Sequence, residues 1–211
     1  GDIDPKQTVV GFGGFTSLRF VPPRLQYNRP GQGIIGPYGF LSIGPDLTQM
    51  LGAAAAVKQG VGPQAPYKGS PVLVQTTDSG AAYCLFEMST AAKYKLPLIA
   101  LIYNNNAWGT WTFSTKGDLT FSDGNAERAL QLHLYEENLR YDLAAEALGC
   151  RGEYARTPEE LRAALKRSYE HAAKESLPTL INVQAIKEFT SAKLYPCPGF
   201  GYNGPGTGAL I

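Results

Sequence analysis

A chain of 211 residues is long enough to bury a substantial core and has the size of one domain. Its 19 Lys+Arg nearly balance its 18 Asp+Glu with no basic run, which argues against nucleic acid; no stretch reaches the roughly 18 apolar residues a bilayer span needs. Cys84, Cys150 and Cys197 are odd in number and far apart. They fit neither a disulfide framework nor a zinc site, and no signal-peptide pattern opens the chain, so a reducing, cytoplasmic-type compartment is expected.

Thr8–Gly14 reads as a buried strand running into a glycine turn, and the Pro/Gly-rich stretch 21–46 as an ordered loop with little regular structure. From Leu47 to Gln59 the pattern is helical, with Leu47, Leu51, Ala54 and Ala55 on one face. Its Gly52–Ala56 block is made of small residues, which allow close approach to a sheet or a partner. A second strand is predicted at 71–76, a helix at 84–95 and a third strand at 97–103. Residues 106–136 are aromatic and polar without a clean period, and read as loop with short helical turns. A helix at 139–148 is closed by Gly149, and a short strand follows at 150–155. Thr157-Pro158-Glu159-Glu160 is a helix start, with a hydroxyl cap, proline first and glutamate third. That helix extends to about Lys174 with Leu161, Leu165, Tyr169 and Ala172 or Ala173 inward, before a last strand at 178–184. The tail from Tyr195 to Gly208 holds five Gly and three Pro and is expected to lie on the domain or on a partner. Strand–helix alternation of this kind predicts an α/β fold with a doubly wound, mainly parallel sheet and helices on both faces. The expected division is a domain over 1–185 and a tail over 186–211.

In a parallel sheet, successive strands deliver their carboxyl ends to one edge, where ligands bind. Asp78 ends the apolar run Val72–Thr77, and Asn105 ends the run from Leu96, 27 positions further on. A carboxylate and a carboxamide brought to one edge are hard oxygen donors, of the kind Mg²⁺ takes when it also holds phosphate oxygens. An alternative stays open: Asp78 caps the following helix and the Asn run is a turn. Gly11–Gly14 lacks the Gly-x-Gly-x-x-Gly spacing, because position 16 is Thr, so a dinucleotide site is a weak third reading.

Thr77-Asp78-Ser79, 24 residues, then Asn104-Asn105 resembles the cofactor signature of thiamine-diphosphate (ThDP) enzymes, Gly-Asp-Gly followed by Asn-Asn. Phe86–Tyr94 followed by Leu96-Pro97 is similar to the connecting helix of the acetolactate synthase, benzaldehyde lyase and 2-hydroxyacyl-CoA lyase branch. Asn104–Gly109 is similar to its second metal turn, with Trp108 and Gly109 closing it. The resemblance covers about residues 8–185 and one of the family's three usual domains. It implies ThDP and Mg²⁺ as cofactors, with Asp78, Asn105 and the backbone carbonyl of Ala107 as metal ligands. It also implies that Ser79 and Gly80 receive the diphosphate on one side and Gly13, Gly14 and Phe15 on the other. Leu41, Ser42 and Ile43 match the aminopyrimidine segment, where Ile43 would wedge between the cofactor's rings. Two departures stand out: Thr77 replaces the first signature glycine, and Pro45-Asp46 replaces small residues. A threonine at 77 is expected to keep ordinary strand geometry.

Trp108, Trp111 and Phe113 could line a substrate pocket or simply pack. His171 is expected on the surface, His133 has no evident role, and Glu87 is expected to pack. The resemblance implies carbon–carbon bond cleavage or formation beside a carbonyl through a ThDP-bound enamine, on a 2-oxo acid, aldehyde or acyl-CoA. It assigns no catalytic residue to this chain. The activating glutamate is expected from a pyrimidine-binding domain on another chain, within a homo- or hetero-oligomer. A non-catalytic scaffold or regulatory subunit with the same fold is the alternative that the two departures motivate.

Overall fold

The structure is a computed structural model and describes residues 6–14, 27, 29–35, 43–108 and 134–185. The polypeptide divides into two compact units, residues 1–104 with 140–185, and residues 105–139 with 186–211. No described helix is long and apolar enough to cross a membrane.

The first unit is built on six parallel strands: β1 (Val9–Phe12), β2 (Gly33–Ile35), β3 (Val72–Thr77), β4 (Leu98–Asn104), β5 (Arg151–Ala155) and β6 (Thr179–Gln184). Their order is β2-β1-β3-β4-β6-β5, and every pairing is parallel. This is the doubly wound sheet expected from the strand–helix alternation. The chain builds outward from β1 in both directions, and the switch lies at β1, between β2 and β3.

Period-two alternation along the buried strands sends side chains to two cores. Val72, Val74, Leu98, Ala100, Ile102 and Leu180 meet helices α1 (Pro45–Gln59), α2 (Asp78–Cys84), α3 (Met88–Lys93) and α4 (Tyr141–Ala147) through Leu47, Met50, Ala81, Met88 and Tyr141. On the opposite face Ile99 and Ile181 meet α5 (Pro158–Glu175) through Ala164 and Ala172, with Leu161, Leu165 and Tyr169 packed around them. That is the inward face predicted for this helix. Its Thr157 cap is also present, with Oγ1 accepting from the Glu160 N–H at 3.2 Å.

Several local expectations need correction. Residues 33–35 form β2, where only loop was expected; the strand exists through pairing with β1, and Gln32 clips to Thr8 and Val10 beside it. Helix α1 starts at Pro45, two residues earlier than predicted, because Gly44 at φ 98 turns the chain into it. The predicted helix 84–95 instead begins at Asp78, passes through a 3₁₀ turn at Leu85–Glu87 and resumes at Met88. Glu87, expected to pack, is exposed and accepts from the Thr90 hydroxyl at 3.0 Å. Residues 62–67 add a 3₁₀ turn that no periodicity announced.

Candidate functional site

Because the strands are parallel, β1, β3 and β4 end at one edge, with Thr77 of β3 level with Tyr103 of β4. The β1 end runs into Gly13, whose N–H donates to the Gln75 carbonyl at 2.8 Å, and Gly14 at φ 78 turns the chain. Asp78 follows β3 and is 1% exposed. Its Oδ1 accepts from the Ser79 N–H at 2.8 Å, which fixes the carboxylate's rotamer. The Tyr141 hydroxyl reaches the Asp78 backbone carbonyl at 3.5 Å. Burial first, and the nearby Asp78 charge second, push the Tyr141 phenol up to about 12, so it stays a donor.

Thr77 keeps the extended geometry expected of it, at φ −108 and ψ 167. It also caps α2: Oγ1 accepts from the Gly80 N–H at 3.2 Å and lies 3.0 Å from the Ser79 hydroxyl. The two first-turn N–H groups expected to receive a diphosphate therefore donate to the side chains of Asp78 and Thr77 in this structure.

Sequence reasoning noted Asp46 only as a departure. It is 5% exposed in the first turn of α1, and its carboxylate presses into a corner formed by three other segments. A Cβ on Gly13 would fall 1.8 Å from its Oδ2, and one on Gly80 would fall 3.5 Å from the same atom and 2.4 Å from Thr76 Oγ1. Only glycine fits at 13 and 80 against these neighbours. Burial pushes the Asp46 carboxyl above its ordinary value, opposed by the Thr76 hydroxyl and by the amides of residues 46 and 47. Thr76 faces the carboxylate without meeting it at hydrogen-bonding geometry, and Oδ2 has no hydrogen-bond partner. Ile43, two residues before α1, is 42% exposed and so is not core.

The second unit holds the other proposed ligands. Asn105 Oδ1 accepts from the Ala107 N–H at 3.2 Å, an Asx turn that orients the carboxamide. Asn106 takes φ 54, and its carbonyl accepts from Tyr135 N–H at 2.9 Å, while Ala107 bridges to Leu134. Among the described residues, the first unit thus gathers Gly13, Asp78, Ser79 and Gly80 at one sheet edge. The second holds Asn105 and Ala107 in one turn, with Trp108 next to it. Phe15, Leu41, Ser42, Gly109, Trp111, Phe113 and His133 lie outside the described residues. His171 sits on α5 with Nδ1 3.0 Å from Glu175.

The donor chemistry fits a hard divalent cation. The first unit offers the Asp78 carboxylate, and the second the Asn105 carboxamide oxygen and the Ala107 carbonyl, all hard oxygen donors; each of the two side chains is held by a backbone N–H. The fit to a diphosphate is tighter at Gly13 and Gly80, where Asp46 places a carboxylate against both.

A doubly wound parallel α/β domain binds its ligands at the carboxyl edge of its strands, where the buried acid and the glycine turns of this chain lie. Comparison with known families makes this specific. The family described as "Thiamine pyrophosphate enzyme, C-terminal TPP binding domain" matches residues 17–183, and the chain belongs to it. Human 2-hydroxyacyl-CoA lyase 1 is 31% identical over 157 residues, covering 74% of this chain and 25% of that protein. The 2-hydroxyacyl-CoA lyase of Arabidopsis thaliana is 29% identical over 116 residues, covering 55% of this chain and 19% of its own length. This chain therefore spans a quarter or less of these relatives. The crystal structure of benzoylformate decarboxylase from Polynucleobacter necessarius superposes with a TM-score of 0.66 at 20% identity, over 89% of this chain and 32% of that one. At that identity the likeness concerns the fold.

Proposed function

We propose that this chain is the diphosphate- and Mg²⁺-binding part of a ThDP-dependent carbon–carbon lyase or synthase. The observation that carries the reading is the burial of Asp78 at the carboxyl end of β3, in a chain of this family. When bound, ThDP supplies the electron sink for a carbanion formed beside a carbonyl. The chain's own share is orientation. Asp78, Asn105 and the Ala107 carbonyl would hold the cation. Gly13, Gly14 and Phe15 on one side, and Ser79 and Gly80 on the other, would receive the diphosphate. Leu41, Ser42 and Ile43 would hold the aminopyrimidine, with Trp108 and Gly109 beside the metal ligands.

The activating glutamate and the rest of the pocket come from a pyrimidine-binding domain, on another chain of an oligomer or on another stretch of a longer one. Decarboxylation of a 2-oxo acid with acyloin formation, or cleavage of a 2-hydroxyacyl-CoA, is the reaction this assembly would run. The 186–211 tail is assigned to contacts with the domain or that partner. A reducing, cytoplasmic-type compartment suits Cys84 and Cys150, which are free thiols among the described residues. Cys150 donates to the Met88 carbonyl at 3.2 Å, and burial pushes its thiol up to about 11, so it is an inert packing group.

Isothermal titration of the complex purified through this chain tests the reading. Asp78→Ala is expected to weaken Mg²⁺-dependent ThDP binding at least about 100-fold, the scale of losing a charged ligand of the metal. Undiminished binding would refute it. One observation favours the scaffold alternative: the Ser79 and Gly80 amides are already capped by side chains. A scaffold would give no metal-dependent heat even in the wild type.

A further inference from the structure

Asp46 is a carboxylate where an anion-binding corner should be free of negative charge. It enters from α1, a different element from the three that the cofactor signature uses, and is 5% exposed. Its Oδ2 is without a hydrogen-bond partner and bears on Gly13 from β1 and on Gly80 from α2. A buried acid at a helix first turn is ordinarily explained by its bonds to the helix amides. Here the amides of 46 and 47 and the Thr76 hydroxyl lower the carboxyl against burial, yet Oδ2 is aimed into the corner without a hydrogen-bond partner, and no ion pair reaches it among the described residues.

We propose that Asp46 sets the grip of this site on phosphate: its charge, lodged against the two glycines that would receive the diphosphate, selects against phosphorylated ligands in proportion to their charge. The inference rests on the thiamine reading and adds a determinant of affinity that lies outside the signature residues. The raised carboxyl of Asp46 is consistent with an uncompensated charge, and so is the Cys84 thiol. That thiol is pushed up by burial, by Asp46 and by Glu87 in turn. Metal held at Asp78 would then supply the positive charge that lets the diphosphate stay, which makes retention strongly metal-dependent.

The test compares two ligands of graded charge, ThDP and thiamine monophosphate, each with Mg²⁺, on the complex purified through a tag on the full chain. Asp46→Asn removes the charge and keeps the shape. Asp46→Ser removes it and keeps an acceptor for the α1 amides, should the first variant fold poorly. Both are expected to bind ThDP roughly tenfold more tightly than wild type, from the loss of one like charge at close range. The gain for thiamine monophosphate should be smaller. An affinity that stays level or falls, or a gain equal for the two ligands, would overturn the proposal. Asp78→Ala, run in parallel, separates the two ideas. If wild type gives no Mg²⁺-dependent ThDP binding, or Asp78→Ala binds undiminished, the thiamine reading itself fails; if Asp78→Ala weakens binding and the Asp46 variants match wild type, only the Asp46 inference fails.

Discussion

Asp46 and Asp142 occupy equivalent places in two helices on the same face of the sheet, and their surroundings are opposite. Both sit in a first turn and both are nearly inaccessible, 5% and 3% exposed. Asp142 is fully compensated. Arg140 Nε and Nη2 bond its two oxygens, with the closest approach 2.5 Å, and Asn182 Nδ2 adds a bond at 3.2 Å. The guanidinium also stacks 4.3 Å from the Tyr154 ring. Burial raises the Asp142 carboxyl, but the Arg140 and Asn182 bonds outweigh it and the net shift is downward. At Asp46 burial wins and the shift is upward. A buried acid that the fold uses as a fastener brings its own counter-charge; one left without it costs stability and points to a ligand site.

Breaking the fastener has the larger effect on stability. Asp142→Ala is expected to lower stability by about 2–3 kcal/mol, because a buried acceptor serving two donors is lost. That corresponds to a drop of about 5–10 °C in melting temperature, read by calorimetry, with ThDP affinity unchanged. The pH dependence sharpens the contrast. A carboxyl held below its unfolded value contributes stability that is present above that value and is lost as pH falls through the folded one, so Asp142 supports the fold down to about pH 4. A carboxyl raised in the fold works in the other direction: its contribution is present at low pH and is lost as pH rises through its folded value. Asp46→Asn should therefore raise the melting temperature by about 2–4 °C at pH 7, with the gain vanishing near pH 4. A gain of equal size at both pH values would mean that the charge at position 46 is not the cause.

Sequence patterns located β3, β4, α5 and β6 because each is an apolar run or face bounded by strong punctuation, such as Thr157-Pro158 ahead of α5. β2 was not legible: Gly33-Ile34-Ile35 is three residues long and becomes a strand only by pairing with β1. Asp78 and Asn105 were legible as polar residues at the ends of apolar strands, and Thr77 as a residue tolerant of strand geometry. That Thr77, rather than Asp78, caps α2 was not, since the choice depends on where Gly80 packs against Thr76. The burial of Asp46 was equally hidden. It follows from two glycine backbones, Gly13 and Gly80, that are distant in sequence and approach the same oxygen.

Thr77 offers the finest test of how structure and binding compete at this edge. Its hydroxyl accepts from the Gly80 N–H, one of the donors we propose for the diphosphate. Thr77→Gly removes the cap and restores the family's glycine. Replacing a capping residue by glycine costs only a few tenths of a kcal/mol, so the melting temperature should fall by about 1 °C. The freed amide then becomes available to an anion, and Mg²⁺-dependent ThDP affinity should rise by about two- to threefold, since one neutral hydrogen bond is worth on the order of 1 kcal/mol before losses. Stability and affinity moving in opposite directions identifies Thr77 as a competitor of the cofactor. If titration shows affinity falling together with stability, Thr77 is instead one of the groups that shape the site, and the capped state is the one that binds.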